Sequence, residues 1–205
     1  KINLSKEELI INKCGLILMA AGASRRLGRP KQLLVYKGQS LIKQVLALMQ
    51  TTGMPAVVVL GANMEAIKNE ISGTTIPIVE NKQWNDGIAS SIVCGLEALT
   101  KTIPDLDGAI FLVCDQPFLA VSFLQELLSR QNTTGKPIIA SSYGNTAGIP
   151  ALFHKTYFPE LLSLKGDAGA KKIMQAHATD MITIDFPLGH MDIDTEEAYK
   201  MLNND

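Results

Sequence analysis

Apolar residues in this chain follow two rhythms that take turns. Cys14–Ala20 is an unbroken apolar run of strand length. After Ser40, apolar residues fall at Leu41, Ile42, Val45, Leu46, Leu48 and Met49, the spacing of one helix face. Ser40 is the predicted cap of that helix and Gly53 its end. Ala56–Leu60 is rich in valine and reads as a strand, Ala62 to Ile71 as a helix, and Ile76–Val79 as a short strand. Ile88, Ile92, Leu96 and Leu99 mark another helical stripe. Gly108–Val113 is a buried strand, the helix after it carries Val121, Leu124, Leu127 and Leu128, and Pro137–Ala140 is a fifth strand. The last third is less regular: Thr146–Phe153 extended, Asp167–Ala176 helical, Met181–Ile184 a strand, Thr195–Met201 a helix.

Strands that are apolar on both faces and alternate with helices predict a parallel sheet covered by helices on each side. The expectation is an α/β fold of three layers, α/β/α and Rossmann-like, with a mostly parallel sheet. One domain over 1–205 is expected, with 1–13 a short extension. Apolar residues make up 46% of the 205 residues and charged residues 19%, which excludes general disorder. The net charge of −1 leaves no global field for nucleic acid or an anionic membrane. No run reaches the roughly 18 apolar residues of a membrane span. Lys1–Lys13 lacks the apolar core of a signal peptide. The scattered Cys14, Cys94 and Cys114 read as reduced thiols, so the expected location is cytoplasmic. His154, His177 and His190 lack zinc spacing, and no serine-hydrolase elbow is present.

Because the chain is neutral overall, its local charge stands out. The stretch Ala20-Ala21-Gly22-Ala23-Ser24-Arg25-Arg26-Leu27-Gly28-Arg29-Pro30-Lys31-Gln32 places four cations within seven residues, directly after the first strand. Small residues at 20–23 let backbone N–H groups approach a ligand, and the carboxyl end of a parallel strand is where α/β sheets bind one. The combination suits a polyphosphate. It is neither a Walker A loop, since Leu27 stands where the second glycine belongs, nor a GxGxxG turn. Downstream, Asp115 closes an apolar strand and precedes Gln116-Pro117, so it is a magnesium ligand or a turn-forming aspartate. Asp194 precedes Thr195-Glu196-Glu197 and could cap the last helix. Asp86, Gly87, Ser90 and Ser91 open the helix at Ile88, where they could read a base edge or serve as caps.

Taken in order, AAGxSRRxGxPKQLL, Asn81-x-x-Trp84-x-x-Gly87 with Ser90-Ser91, Cys114-Asp115-Gln116-Pro117, Gly166-Asp167-x-Gly169-Ala170 and Asp192-Ile193-Asp194-Thr195 resemble the small GT-A-like nucleotidyltransferases. The likeness runs from Cys14 to about Tyr199 and is greatest to the molybdenum-cofactor branch, the MobA-like and MocA-like enzymes. It implies transfer of a nucleotidyl group to the phosphate of molybdopterin, with release of pyrophosphate. By the same resemblance Arg26 and Lys31 grip the triphosphate, with Arg25 and Arg29 as further candidates. Ala20, Ala21 and Gly22 form the nucleotide-binding turn, and Asp86 and Ser91 lie near the base. Asp115 binds Mg²⁺ with Asp194 or Asp192, and Gly148 and Pro150 line the acceptor pocket. The Ala-Ala-Gly triplet resembles the cytidylyltransferase version, which favours CTP; GTP is the competing substrate. An apo-molybdoenzyme is the implied client, and a non-catalytic cofactor carrier is the reading from a different class. Relatives carry arginine after Gly-Ala where this chain has Lys171, which lacks the guanidinium fork.

Overall fold

A computed structural model describes residues 9–144, 146–191 and 193–203, the side chains of 190 and 203 excepted. Asp192 and residues 1–8 of the expected extension lie outside the described residues. The elements are β1 (Cys14–Met19), β2 (Val35–Tyr36), β3 (Gln39–Ser40), α1 (Leu41–Thr52), β4 (Ala56–Leu60), α2 (Met64–Glu70) and β5 (Ile78–Glu80). They continue with α3 (Ile88–Thr102), β6 (Gly108–Val113), α4 (Val121–Thr134), β7 (Ile138–Tyr143), β8 (Thr146–His154), α5 (Phe158–Leu162), α6 (Ala170–Ala176), β9 (Met181–Asp185) and α7 (Glu196–Asn203).

Seven strands form one sheet in the order β5-β4-β1-β6-β8-β7-β9. The period of two in its strands divides the core into two layers. Leu16, Leu18, Val58, Leu60, Ile110 and Leu112 meet α1, α2 and α4 on one face. Ile17, Met19, Val57, Val59, Ala109 and Phe111 meet α3, α5 and α6 on the other. This is the expected α/β/α arrangement, and the sheet is mostly parallel. One strand departs from the expectation of a parallel sheet: β8 runs antiparallel to both neighbours, β6 and β7. Only two positions of the sequence separate β7 from β8, too few for the crossover that parallel pairing needs.

Local boundaries shift where capping chemistry differs from expectation. Ser40 does stand at the α1 cap position, but its hydroxyl makes no capping bond; Gly53 ends the helix in the left-handed region at φ 66°. The helix expected from Ala62 begins at Met64, behind a left-handed Asn63. The helix expected from Asp167 begins at Ala170. The hairpin β2–β3 and the short helix α5 had no clear periodic signal, because two strand residues or one helical turn carry too little pattern.

The carboxyl ends of β1, β4, β5 and β6 lie together, in the register Met19↔Val59, Met19↔Val113 and Leu60↔Glu80. The loops after these strands therefore share one edge of the sheet. Because β8 is antiparallel, its opening residues reach that same edge: Gln116 on the loop after β6 donates Nε2 to the Ile149 carbonyl at 2.8 Å. Among the described residues no helix is long and apolar enough to cross a membrane.

Candidate active site

The loop after β1 is held by its carbonyls. Ala20 O and Gly22 O accept from the Gln32 amide at 2.8 and 3.0 Å, and Ala21 O accepts from Ala62 N at 3.0 Å. The N–H groups of Gly22, Ala23 and Ser24 find no acceptor among the described residues. A turn with its acceptors engaged and its donors free is suited to an anion. The residue types play different parts from those the sequence suggested. Ala20 and Ala21 are buried and pack into the two core layers, so only their backbone belongs to the loop surface. The left-handed positions are Ser24 (φ 51°) and Gly28 (φ 73°), not Gly22. The Ser24 hydroxyl supports its own unusual conformation by accepting from Lys31 N at 3.0 Å.

The four cations of the loop divide between two kinds of partner: Lys31 and Arg26 share Asp194, whereas Arg25 and Arg29 turn elsewhere. Lys31, mostly buried, bonds Asp115 Oδ2 and, at 2.9 Å, Asp194 Oδ1. Arg26, mostly exposed, bonds Asp194 Oδ2. Arg25 crosses to Asn85 Oδ1 at 2.6 Å, towards the turn after β5. Arg29 turns away from this centre: it bonds both Glu196 oxygens at 3.0 and 2.9 Å and lies 5.2 Å from the centroid of Tyr199. Arg29 is thereby an anchor for α7, and the structure does not bring it to the Lys31 cluster.

The same contacts explain why Asp194 sits where it does. Thr195, not Asp194, caps α7, its Oγ1 accepting from Ala198 N at 3.2 Å. The neighbouring Ile193 is buried with Leu202 against Leu27, Leu34, Tyr36 and Leu41. This small third core docks the carboxyl-terminal segment on the loop after β1 and leaves the Asp194 carboxylate aimed at Lys31. Burial alone would lower the Lys31 pKa, but the charges and hydrogen bonds of Asp115 and Asp194 outweigh it and hold the ammonium above its usual value. Burial likewise opposes ionisation of Asp194, yet the Lys31 ammonium and the Arg26 guanidinium keep it below the usual carboxylate range.

Asp115 Oδ1 is buried and has no donor among the described residues. An unpaired buried carboxylate oxygen is costly unless something else engages it. With Asp194 converging on the same point, the pair offers hard oxygens in the number magnesium usually takes from a protein, leaving other positions for water and phosphate. Among the described residues no three His, Cys, Asp or Glu side chains converge, so an ion held by this pair would take its remaining ligands from water or substrate.

The turn after β5 is built largely by its own side chains. Asn81 donates Nδ2 to Ser90 Oγ (2.8 Å) and Ser91 Oγ (3.1 Å), and its Oδ1 accepts from Gln83 N. Ser91 is buried in this network, whereas Asp86 and Ser90 open on a cavity of about 780 Å³ that also involves Lys82, Cys94 and Leu164. No side chain caps α3, so the carboxylate of Asp86 is not used as a helix cap. Trp84 packs against Gly61, with Ala21 also close to that glycine. Gly87 sits at φ 100° against the Gly166 backbone, and Gly166 O accepts from Ala89 N at 3.1 Å. The Gly-Asp-x-Gly-Ala segment thus seats the start of α3. Lys171, just beyond it, lines a smaller cavity of about 290 Å³ with Thr146, Ala147 and Met174.

Gln32 is the functional candidate that sequence reasoning passed over: a glutamine gives no signal until its burial and partners are seen. The cysteines are free; burial pushes the Cys14 thiol up to about 12 and the Cys114 thiol higher still. They carry no charge near neutral pH.

Residues 16–181 match the MobA-like NTP transferase domain. The chain belongs to the MobA-like NTP transferase family. Nicotine blue oxidoreductase of Paenarthrobacter nicotinovorans is 31% identical over 198 residues, covering 91% of this chain and 95% of that protein. The purine catabolism protein PucB of Bacillus subtilis is 27% identical over 203 residues, 91% and 94% of the two chains. A probable molybdenum cofactor guanylyltransferase of Bacillus mycoides is 22% identical over 156 residues, 75% and 74%. Among solved structures, Rv0371c of Mycobacterium tuberculosis superposes with a TM-score of 0.78 at 26% identity, covering 95% of this chain and 99% of that one. Its structure in complex with manganese gives 0.73 at 25%, with coverages of 95% and 100%. The fold of this MobA-like chain is the GT-A-like nucleotidyltransferase fold.

Proposed function

We propose that this protein transfers CMP from CTP to the phosphate of molybdopterin, forming the cytosine dinucleotide cofactor and releasing pyrophosphate. The single observation that carries the transferase reading is the meeting of the donor-rich loop, Lys31 and Arg26 with the Asp115–Asp194 pair. The preference for CTP rests on the Ala20-Ala21-Gly22 triplet and its resemblance to cytidylyltransferases. GTP is the competing substrate, and the name of the Bacillus mycoides relative favours it.

The attacking group is a phosphate monoester, ionised near neutral pH, so no strong general base is required. The difficulty is to bring two anions together and to stabilise charge on the departing pyrophosphate. Free N–H groups at 22–24 bind the phosphates, and Lys31 and Arg26 exchange their carboxylate partners for phosphate oxygens. Asp115 and Asp194 would hold a divalent ion, and the manganese complex of Rv0371c supports such an ion in a relative of the same fold. An ion held there would supply neutralisation of the charge that builds up on the phosphates. Asp86 and Ser90, on the wall of the larger cavity, face the base, with Ser91 holding the turn through Asn81. Thr146–Pro150 and Lys171 flank the acceptor.

The oxidoreductase name of the 31% identical relative makes hydride transfer the second reading. One experiment separates these. The protein is incubated with Mg²⁺, molybdopterin and each nucleoside triphosphate in turn, and pyrophosphate is measured; a parallel arm follows NAD(P)H absorbance with oxidised acceptor dyes. Pyrophosphate release with CTP above the other nucleotides supports the proposal. Release with GTP alone corrects the base, and NAD(P)H oxidation without pyrophosphate overturns the transferase reading. If pyrophosphate appears in no arm while molybdopterin binds tightly, the carrier reading replaces it.

A further inference from the structure

We infer that Gln32 is the positioning residue of the phosphate-binding loop, its buried amide turning the loop's carbonyls inward so that the N–H groups face the ligand. This rests on the reading of that loop as a polyphosphate site. Gln32 lies in the short 3-10 turn Lys31–Leu33 and is 1% exposed. Its Nε2 spans two carbonyls, Ala20 O at 2.8 Å and Gly22 O at 3.0 Å. With Ala21 O held by Ala62 N, three successive loop carbonyls are fixed on the protein side. A peptide plane carries its N–H opposite its C=O. Fixing the carbonyls of 21 and 22 therefore aims the N–H groups of Gly22 and Ala23 away from the protein, where no described residue accepts from them.

The chemistry of the side chain fits this task and no simpler one. A single –NH₂ group carries the two donors required for two acceptors. It is neutral, so it adds no competing ion partner for Lys31, Asp115 or Asp194. Gln32 Oε1 is buried without a donor, so the residue is not there for a fully satisfied core contact; an apolar side chain would serve packing better. The orientation of the amide is fixed by the two carbonyls, since the flipped form would oppose oxygen to oxygen. Gln32 touches no reacting atom, and its effect is on how tightly the phosphates are held.

Two nearly isosteric substitutions test this. Gln32→Met keeps the length and removes both donors; Gln32→Glu places a carboxylate oxygen against the two carbonyls. Binding of tripolyphosphate is measured by calorimetry for the parent and both variants, with thermal melts and steady-state kinetics on the CTP reaction. The expected result for Gln32→Met is a dissociation constant raised about tenfold or more, a KM for CTP raised in proportion, and a kcat within about threefold. Gln32→Glu is expected to be weaker still. A folded Gln32→Met that binds tripolyphosphate within twofold of the parent overturns the inference and leaves the transferase reading untouched. So does a fall in kcat at unchanged KM. Failure of the parent itself to bind tripolyphosphate overturns the reading of the loop and this inference with it. Should Gln32→Glu not fold, Gln32→Met decides alone.

Discussion

The substitution Asp115→Asn probes the centre of the proposed site while keeping its shape. In the parent, Asp115 Oδ2 bonds the Lys31 ammonium and Oδ1 is buried without a partner. The substituted side chain would present an amide of the same size but no charge. Lys31 keeps Asp194 Oδ1 at 2.9 Å, so one of its two charged hydrogen bonds is lost and one survives. A hydrogen bond to a charged group is worth about 1.5–3 kcal/mol, and the surviving partner brings the expected loss to the lower end, about 1–2 kcal/mol. For a chain of this size that is a fall of roughly 2–8 °C in melting temperature. The catalytic loss should be larger. Removing one of two carboxylates facing the phosphates, together with its share of a divalent ion, is comparable to removing a preorganised electrostatic contact, about 10²–10³-fold in turnover or roughly 2.7–4 kcal/mol. The assay is pyrophosphate release under saturating Mg²⁺ and CTP, beside a thermal melt of the same preparation. A variant that melts within the stated range but turns over within threefold of the parent would refute the assignment of Asp115 to the reacting centre.

Lys31→Ala should weaken CTP binding about tenfold or more, measured by calorimetry without molybdopterin; unchanged affinity for both CTP and GTP would remove the loop from the site. Gly87→Ala should destabilise by about 2–4 kcal/mol, because φ 100° is a glycine conformation and a Cβ there overlaps the Gly166 backbone; a melting temperature within 2 °C of the parent would contradict this. Burial, helped by the neighbouring Lys155, lowers the His154 pKa to about 4 from an unfolded value near 6.5. The unfolded chain therefore takes up the proton first as pH falls. Stability from a neutral His154 is complete above about pH 6.5 and is lost between there and pH 4, by up to about 3 kcal/mol. Urea denaturation across that range should show the slope in the parent and a flatter one in His154→Gln.

What the sequence determined by itself is what short-range pattern can carry. Alternating apolar runs and helical stripes placed β1, β4, β6, α1, α3 and α4 to within a few residues, since the periods of 2 and 3.6 are local properties of the backbone. The cationic loop was legible because four charges within seven residues stand out in a neutral chain. Tertiary structure decided the rest. The direction of β8 depends on which strands it joins, and nothing in Thr146–His154 alone states that. The partners of the four loop cations are separated from them by as many as 168 positions, so Arg29 could not be told from Arg26 until α7 had docked. On paper Asp194 could cap the last helix, but in the structure Thr195 takes that role. Burial of Ile193 in the third core settles which of them turns to Lys31, and a buried contact of that kind exists only once the chain has folded.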